Sequence, residues 1–378
     1  MPRAKKTERA KAIWLPEPSI KNDTHKNRLE HTLDWLGRST SVKATECRRF
    51  LNESVSKFPK EVQKYFHHYL HERWHTTFFE LIVARMLQEL GADLAFETSN
   101  SEGKRPDFAA NFPDCKIIVE AIAPTFNASV GVEAKNRIPL LEIIDSNIPD
   151  GWLVGVWELP KIGPADSKQD FKRAVERVLD ILPPTEDATD FELTAELPSG
   201  VIRLHLWPGS SRNRRVAMEG VYTTFDNSEE RIRHAIRQKR RQVRSSDAPV
   251  LLAIQASGIS SSFEDFDIAL FGRTYESYDR HGALVETGFT PSGEFNNKSD
   301  KAPTYAGALA FVDMGWLGGP APVLYRHPRS SSVLPESVLR LAQRTYDAKA
   351  GKIRNQPSAE HNLMQKLRFV QMETKSGE

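Results

Sequence analysis

The sequence predicts an α/β protein built on a mixed sheet that is flanked by helices. A continuous apolar segment at 116–123 is typical of a strand buried on both faces of such a sheet. A helical apolar stripe over 229–244 leads into a second apolar segment at 250–255, so that helices alternate with strands. With 378 residues, the chain is long enough for one elaborated domain or for two domains.

The predicted elements follow one another in a definite order. Residues 31–73 are expected to form an N-terminal helical region, and a further helix contains Glu80 and ends at Leu90-Gly91. The sheet is expected to begin with strands at 94–98, 106–111 and 116–123. An inserted α+β region is predicted at about 124–227, with helices at 133–145 and 169–182 and strands at 152–158, 190–196 and 201–207. The core resumes with the helix at 229–244, strands at 250–255 and 307–312, and a last helix at 335–350.

Composition restricts the classes of protein to which the chain can belong. Hydrophobic residues make up 39% of the sequence and charged residues 27%, as in globular proteins. No apolar run approaches the roughly 18–20 residues that span a membrane, so no membrane partner is expected. The two cysteines exclude a disulfide framework and indicate a reducing, cytoplasmic setting. A basic arm is predicted at 1–30 and a polar tail at 351–378.

Three carboxylates occupy positions at which a metal site could form. Glu80 lies at the edge of the apolar stripe of its helix, and Asp107 follows Pro106 at the start of a strand. Glu120 interrupts the apolar run of a buried strand, where a carboxylate must be paired, protonated or bound to metal. Mg²⁺ usually takes one or two carboxylates together with water and phosphate. Asp107, Glu120 and Glu80 are therefore predicted ligands of Mg²⁺ or Mn²⁺, although Glu80 alone could be solvated and Asp107 part of a turn.

Sequence motifs surround each of these carboxylates. They are Trp74, Phe78-Phe79-Glu80-Leu81, Gly91, Arg105-Pro106-Asp107-Phe108 and Glu120-Ala121. This order resembles the PD-(D/E)xK nuclease superfamily, of restriction-endonuclease-like fold, and within it a bacterial group with the pattern FFEL, RPDF and EA. Segments at 249–254, 269–272 and 324–328 extend the resemblance over roughly residues 74–340. The resemblance implies a nuclease-like domain at 74–350 and a role in restriction, repair or defence.

The lysine of the family's E-x-K motif is replaced by Ile122 in this chain. In the family, that lysine positions the attacking water or stabilises the charge of the transition state. Lys239 is the preferred replacement, because it lies on the apolar stripe of the helix at 229–244, where an amine needs a carboxylate or a metal site nearby. Lys135 has the E-x-K spacing and is the second choice, and Lys239 could instead extend along its aliphatic stem to solvent.

Basic residues are concentrated in one part of a chain whose net charge is only +2. Residues 201–245 contain eleven arginines and lysines against four acidic residues. Such a concentration can bind the phosphates of nucleic acid, or it can be an ordinary solvated helix face. The arginines assigned to nucleic-acid binding are Arg212, Arg214, Arg215, Arg237, Arg240, Arg241 and Arg244.

A second motif points to a different class of enzyme. His71-Glu72-Arg73-Trp74-His75 has the HExxH spacing of zinc peptidases, in which two histidines one helical turn apart bind Zn²⁺. Arg73 places a cation inside the motif, and no third ligand is recognisable downstream. We therefore prefer a histidine-rich, solvated helix face and keep the zinc peptidase as a distant alternative.

The resulting hypothesis is a Mg²⁺-dependent endonuclease that hydrolyses DNA phosphodiester bonds. Its predicted catalytic residues are Glu80, Asp107, Glu120 and Lys239. The main alternative, based on Ile122, is a catalytically inactive nuclease-fold module that binds nucleic acid or serves in assembly. Nucleic acid, and specifically DNA, is the expected partner, and a homodimer and a separately encoded partner subunit both remain open.

Overall fold

The structure is a computed structural model that describes most of the chain. The described residues are 14–19, 30–96, 106–124, 139–160, 168–184, 190–198, 200–209, 216–219, 228–243, 246, 248–256, 262–296, 305–312, 321–347, 350–360 and 363. Most of the predicted basic arm, Lys135, Arg212, Arg214, Arg215, Arg244 and the side chain of Arg241 lie outside this description. Among the described residues, no helix has the length and apolar character that crossing a membrane requires.

The chain divides into two compact units. The first comprises residues 1–22, 32–124 and 226–378, and the second comprises 23–31 and 125–225. In chain order the helices are α1 Thr32–Arg38, α2 Val42–Ser56, α3 Lys60–Glu72, α4 Trp74–Glu89, α5 at 139–147, α6 Lys168–Leu179, α7 Ser228–Val243, α8 Phe263–Phe271 and α9 Glu336–Leu339. The strands are β1 Asp93–Phe96, β2 Phe108–Asn111, β3 Lys116–Ile122, β4 Trp152–Glu158, β5 Phe191–Leu197, β6 Gly200–Pro208, β7 Val216–Glu219, β8 Val250–Ala256, β9 Thr274–Tyr278, β10 Leu284–Phe289, β11 Gly307–Val312, β12 Val323–Arg326, β13 Ala342–Asp347 and β14 Lys352–Gln356.

In the described part of the chain, eight strands form a mixed sheet at the centre of the first unit. Its strand order is β1-β2-β3-β8-β11-β12-β13-β14. Strands β3, β8 and β11 are parallel neighbours, whereas β1, β2 and β3 form an antiparallel meander at one side. The central strands are buried along almost their whole length, as expected for strands covered on both faces. The predicted α/β class with a mixed sheet flanked by helices is confirmed.

Side chains alternate between two apolar cores along β3. Ile117, Val119 and Ala121 join the core that contains the apolar residues of α4. Ile118 and Ile122 join the core that contains the apolar residues of α7 and α8. Because successive residues of a strand point to opposite faces, α4 and α7 cover opposite faces of the sheet. The strand that carries Glu120 is therefore enclosed by both helices.

The second unit has its own sheet and its own core. Strands β5, β6 and β4 form antiparallel pairs, and β7 lies parallel to β4 at the edge. Helix α6 packs Phe171, Val175 and Leu179 into a core that includes Val154 and Leu204. This helix is strongly amphipathic, so one apolar stripe is enough to fix it on the sheet.

The C-terminal part of the first unit differs from the expectation. The predicted helix at 335–350 is wrong: only Glu336–Leu339 is helical, and Ala342–Asp347 is strand β13. The polar tail predicted at 351–378 instead begins with β14, which pairs antiparallel with β13. Ladder hydrogen bonds to β12 and β14 outweigh the helical propensity of this segment.

A tight junction joins α8 to the loop that follows β10. Gly272 has a φ of +100°, and a Cβ at this position would overlap the carbonyl oxygen of Thr290. The amide of Thr290 donates to the carbonyl of Arg273 at 2.8 Å, and the amides of Glu294 and Phe295 donate to the end of α8 at 2.9 and 2.7 Å. These bonds fix the segment 290–296 against α8 and thereby fix the position of Glu294.

We expect Gly272→Ala to lower the free energy of unfolding by about 3 kcal/mol, from backbone strain and overlap together. Gly282→Ala is the matched control, because Gly282 has a φ of +79° but no heavy atom within 4 Å of an added Cβ. Its expected cost is the strain alone, about 1 kcal/mol. Urea unfolding of both variants measures the difference. Equal losses would show that the contact with Thr290 contributes nothing.

Candidate active site

Strand register brings Asp107 and Glu120 together. Phe108 of β2 pairs with Val119 of β3, so Asp107, one residue before β2, continues the register opposite Glu120. Residues that face each other across antiparallel strands lie on the same face of the sheet. The Asp107 carboxylate is fixed there because its Oδ2 accepts a hydrogen bond from the amide of Ala121 at 2.8 Å. Two carboxylates thus meet at the start of β2.

Lys239 reaches both carboxylates from helix α7. Its Nζ donates to Glu120 Oε2 at 2.6 Å and lies 3.7 Å from Asp107 Oδ2. The lysine can do so because Ile232, Ile236 and Val243 anchor the same helical stripe in the core beside β3. Burial alone would lower the pKa of Lys239, but the carboxylates of Asp107 and Glu120 raise it above its usual value. Lys239 is therefore a cation at neutral pH.

Glu120 is the most enclosed member of the site. It is completely buried, and its Oε1 has no hydrogen-bond partner among the described residues. Burial raises the pKa of Glu120, the nearby Asp107 carboxylate raises it further, and Lys239 opposes the rise. An unpartnered oxygen on a buried carboxylate is costly, so the site retains the capacity to bind one more cation or hydrogen-bond donor.

Glu80 approaches the site from helix α4. It is buried, and its Oε2 accepts a hydrogen bond from the hydroxyl of Tyr65 at 2.9 Å. The pKa of Glu80 is raised to about 7: burial is the largest cause and Asp107 adds to the rise, whereas Tyr65, Arg73 and Lys239 oppose it. A deprotonated Glu80 is therefore disfavoured both by its burial and by the neighbouring negative charge of Asp107.

The raised pKa of Glu80 predicts how stability depends on pH when no metal is bound. The pKa rises on folding from 4.5 to about 7, so the folded state binds more protons across this range. The resulting stabilisation is complete below about pH 4.5 and is lost as the pH rises through 7, with a magnitude of about 3 kcal/mol. Urea unfolding in EDTA from pH 4.5 to 8 should show this decline, and Glu80→Gln should reduce it. An equal decline in the variant would assign the titration to another group.

Arg237 and Arg240 share one buried carboxylate. Arg237 Nε donates to Glu294 Oε1 at 2.7 Å, and Arg240 Nη2 donates to Glu294 Oε2 at 3.1 Å. The Glu294 side chain is only 3% exposed, whereas that of Arg237 is 56% exposed. The carboxylate therefore orients two cations on helix α7 and offsets one of their charges. Sequence reasoning missed Glu294, because it lies more than fifty residues from its partners.

The HExxH segment does not form one helix. Helix α3 ends at Glu72 and α4 begins at Trp74, and Arg73 between them has φ −140° and ψ 59°, outside the helical region. His71 and His75 therefore lie on different helices, and the four-residue spacing does not set them on one face. Glu72 faces His68, with 3.2 Å between its Oε1 and the His68 Nε2. The geometry thus removes the spacing on which the zinc interpretation depends.

A metal site is not already assembled in the described part of the chain. No three or more histidine, cysteine, aspartate and glutamate side chains there are grouped so that they could hold a metal ion. The ammonium of Lys239 instead neutralises Asp107 and Glu120. The donor set nevertheless suits a hard cation that needs one or two protein carboxylates, and the unpartnered Oε1 of Glu120 is an available ligand atom.

Comparison of the chain with protein-family models, with curated proteins and with solved structures found no match. The assignment of a function therefore depends on the residues and contacts described above.

Proposed function

We propose that the protein is a metal-dependent nuclease of restriction-endonuclease-like fold that hydrolyses DNA phosphodiester bonds. One observation carries the proposal: Lys239 from α7 meets Asp107 and Glu120 at the start of β2, 2.6 Å from Glu120 Oε2 and 3.7 Å from Asp107 Oδ2. A lysine beside two carboxylates is the combination that the sequence resemblance requires, although Ile122 occupies the usual lysine position. Glu80 adds a third carboxylate with a raised pKa.

Asp107 and Glu120 are the proposed ligands of Mg²⁺ or Mn²⁺, and Glu80 completes the coordination or orients water. When bound, such an ion supplies Lewis-acid stabilisation and a water of lowered pKa. The protein's own contribution is fixed orientation, because the amide of Ala121 holds Asp107 and the strand ladder holds Glu120. The enclosed position of Glu120 also excludes bulk water, which strengthens each electrostatic interaction in the site.

Lys239 has the properties of a charge stabiliser. Its raised pKa keeps the amine protonated near neutral pH, so it does not act as a general base. An ammonium aimed at the carboxylate pair can donate to a phosphoryl oxygen or to the attacking water as negative charge develops. This is the role that the missing motif lysine would have.

Arg237 is the described arginine best placed to contact a DNA phosphate, because it is exposed and Glu294 fixes its Nε. We expect Arg237→Gln to weaken binding to all DNA sequences alike and to reduce the slope of log affinity against log salt by about one. Arg354→Gln is the control, since Arg354 pairs with Asp347 on β13 and its strand β14 lies five strands from β3. Fluorescence anisotropy at several salt concentrations measures the slopes, and identical slopes would exclude Arg237 from the interface.

A second candidate is a nucleic-acid-binding module that has lost catalysis. One observation favours it: Ile122, at the position of the motif lysine, is packed in the core. Supercoiled plasmid, linear duplex and single-stranded DNA, each incubated with Mg²⁺, Mn²⁺ or EDTA, separate the two candidates. The nuclease cuts only with metal. The binding module retains DNA in a gel shift, cuts none of these substrates, and keeps its affinity in EDTA and in Asp107→Ala.

A further inference from the structure

A chain of hydrogen bonds leads from Glu80 to the surface of the first unit. The hydroxyl of Tyr65 donates to Glu80 Oε2 at 2.9 Å, and Arg73 Nη2 donates to the Tyr65 oxygen at 2.8 Å. The guanidinium of Arg73 lies 4.2 Å from the ring centroid of Tyr69. Glu80 is buried and Arg73 is exposed, so the chain connects the carboxylate site with solvent.

The break between α3 and α4 sets the position of Arg73. Tyr65 and Tyr69 are four residues apart on α3, so they share one face, and their ring centroids lie 4.7 Å apart. The amide of Arg73 still caps α3 by donating to the carbonyl of Tyr69, but its φ and ψ leave the helical region. The Arg73 side chain therefore lies along the Tyr65-Tyr69 face.

Arg73 determines which way the Tyr65 hydroxyl points. A phenol has one proton to donate, and its oxygen can accept a hydrogen bond from another donor. Because Arg73 donates to this oxygen, the tyrosine proton is directed to Glu80, and the charged donor strengthens the second bond. The hydrogen bond from Tyr65 is made to Oε2 of Glu80 and does not use Oε1.

The geometry points to Tyr65 as a positioning residue of the carboxylate site, held in turn by Arg73. The hydrogen bond fixes the plane of the Glu80 carboxylate and leaves Oε1 available to a metal ion or a water. The consequence for metal binding rests on the proposed function, whereas the hold of Tyr65 on Glu80 does not. Neither residue belongs to the motifs that surround the three carboxylates.

Titration of the metal-free protein with Mn²⁺, followed by electron paramagnetic resonance, tests the proposal. We expect Tyr65→Phe to weaken Mn²⁺ affinity about tenfold and Arg73→Met to weaken it less, about threefold. Arg73→Lys, which retains a cation, should weaken Mn²⁺ affinity less than Arg73→Met does. In the Tyr65→Phe background, Arg73→Met should have a smaller effect than in the wild type, because only the direct influence of the Arg73 charge on Glu80 remains once the Tyr65 hydroxyl is gone. Tyr69→Phe is the matched control and should leave the affinity unchanged.

Thermal unfolding in EDTA at pH 8 provides a readout that needs no metal. Tyr65→Phe should lower Tm by about 2–6 °C in the wild-type background and by less than about 1 °C in the Glu80→Ala background. Equal losses in the two backgrounds, or an unchanged Mn²⁺ affinity in Tyr65→Phe, would overturn the positioning role. A wild-type protein that binds no Mn²⁺ contradicts the proposed function, and the comparison of Tm losses then still decides the role of Tyr65.

Discussion

Glu120→Gln is expected to abolish metal-dependent cleavage of DNA, with a loss on the order of 10³-fold or more. The substitution preserves the size of the side chain and removes the charge that a divalent ion requires. Glu120 is fully buried and carries the unpartnered Oε1, so no solvent-exposed group can take its place. Single-turnover cleavage of a labelled duplex in Mg²⁺ measures the effect.

Glu61→Gln is the matched control for this substitution. Glu61 is 82% exposed on α3, where it pairs with Lys64, and its replacement should leave cleavage unchanged. The Glu120→Gln protein should still fold. A buried negative charge beside Asp107 lowers the stability of the folded state, and the neutral glutamine side chain avoids this cost. A folded Glu120→Gln protein that cuts at the wild-type rate would remove Glu120 from the active site.

Lys239→Met is expected to lower cleavage by about 10²–10³-fold, because the site loses the cation that we propose stabilises developing charge. The same substitution leaves Asp107 and Glu120 unneutralised at high pH, so the metal-free protein should lose about 2–4 kcal/mol of stability at pH 8. The loss should be smaller at pH 5, where protonation of Glu120 removes the repulsion, because its pKa is already raised. Mg²⁺ should restore stability by replacing the missing charge.

Two controls make this result specific. Lys64→Met removes a lysine on α3 whose side chain is 73% exposed. It should leave the cleavage rate unchanged and should alter the free energy of unfolding by no more than about 0.5 kcal/mol. Lys239→Arg retains the charge but changes its shape, so stability should be largely kept while cleavage falls. Urea unfolding with and without Mg²⁺ measures both effects. If Lys239→Met cuts normally, another group must stabilise the transition state.

Much of the central sheet could be predicted because its signals are local. The apolar run around Glu120 and the apolar segment at 250–255 indicated β3 and β8, which the structure has at Lys116–Ile122 and Val250–Ala256. The stripe of α7 likewise indicated that Lys239 points inward. Strands β13 and β14 could not be predicted in this way, since they are only partly buried and depend on pairing with distant segments.

The same limit applies to the site. Asp107 and Glu120 stand out locally, one after a proline and the other inside an apolar run. Tyr65 and Glu294 do not, because a tyrosine on an amphipathic helix and a glutamate in a polar loop have ordinary surroundings in sequence. Their roles arise from contacts with residues that are distant in sequence. Tyr65 contacts Glu80, 15 residues away, and Glu294 contacts Arg237, 57 residues away. Only the folded chain reveals such pairs.

The most direct measurement is cleavage of one labelled DNA duplex in Mg²⁺ or EDTA by the wild type, three site variants and three controls. The site variants are Asp107→Asn, Glu120→Gln and Lys239→Met, and the controls are Asp93→Asn, Glu61→Gln and Lys64→Met, all of exposed residues. We predict Mg²⁺-dependent cutting by the wild type and the controls, and at least 10²-fold slower cutting by the site variants. Cutting that survives in the site variants, or a wild type that binds the duplex without cutting it in Mg²⁺, would contradict the nuclease assignment.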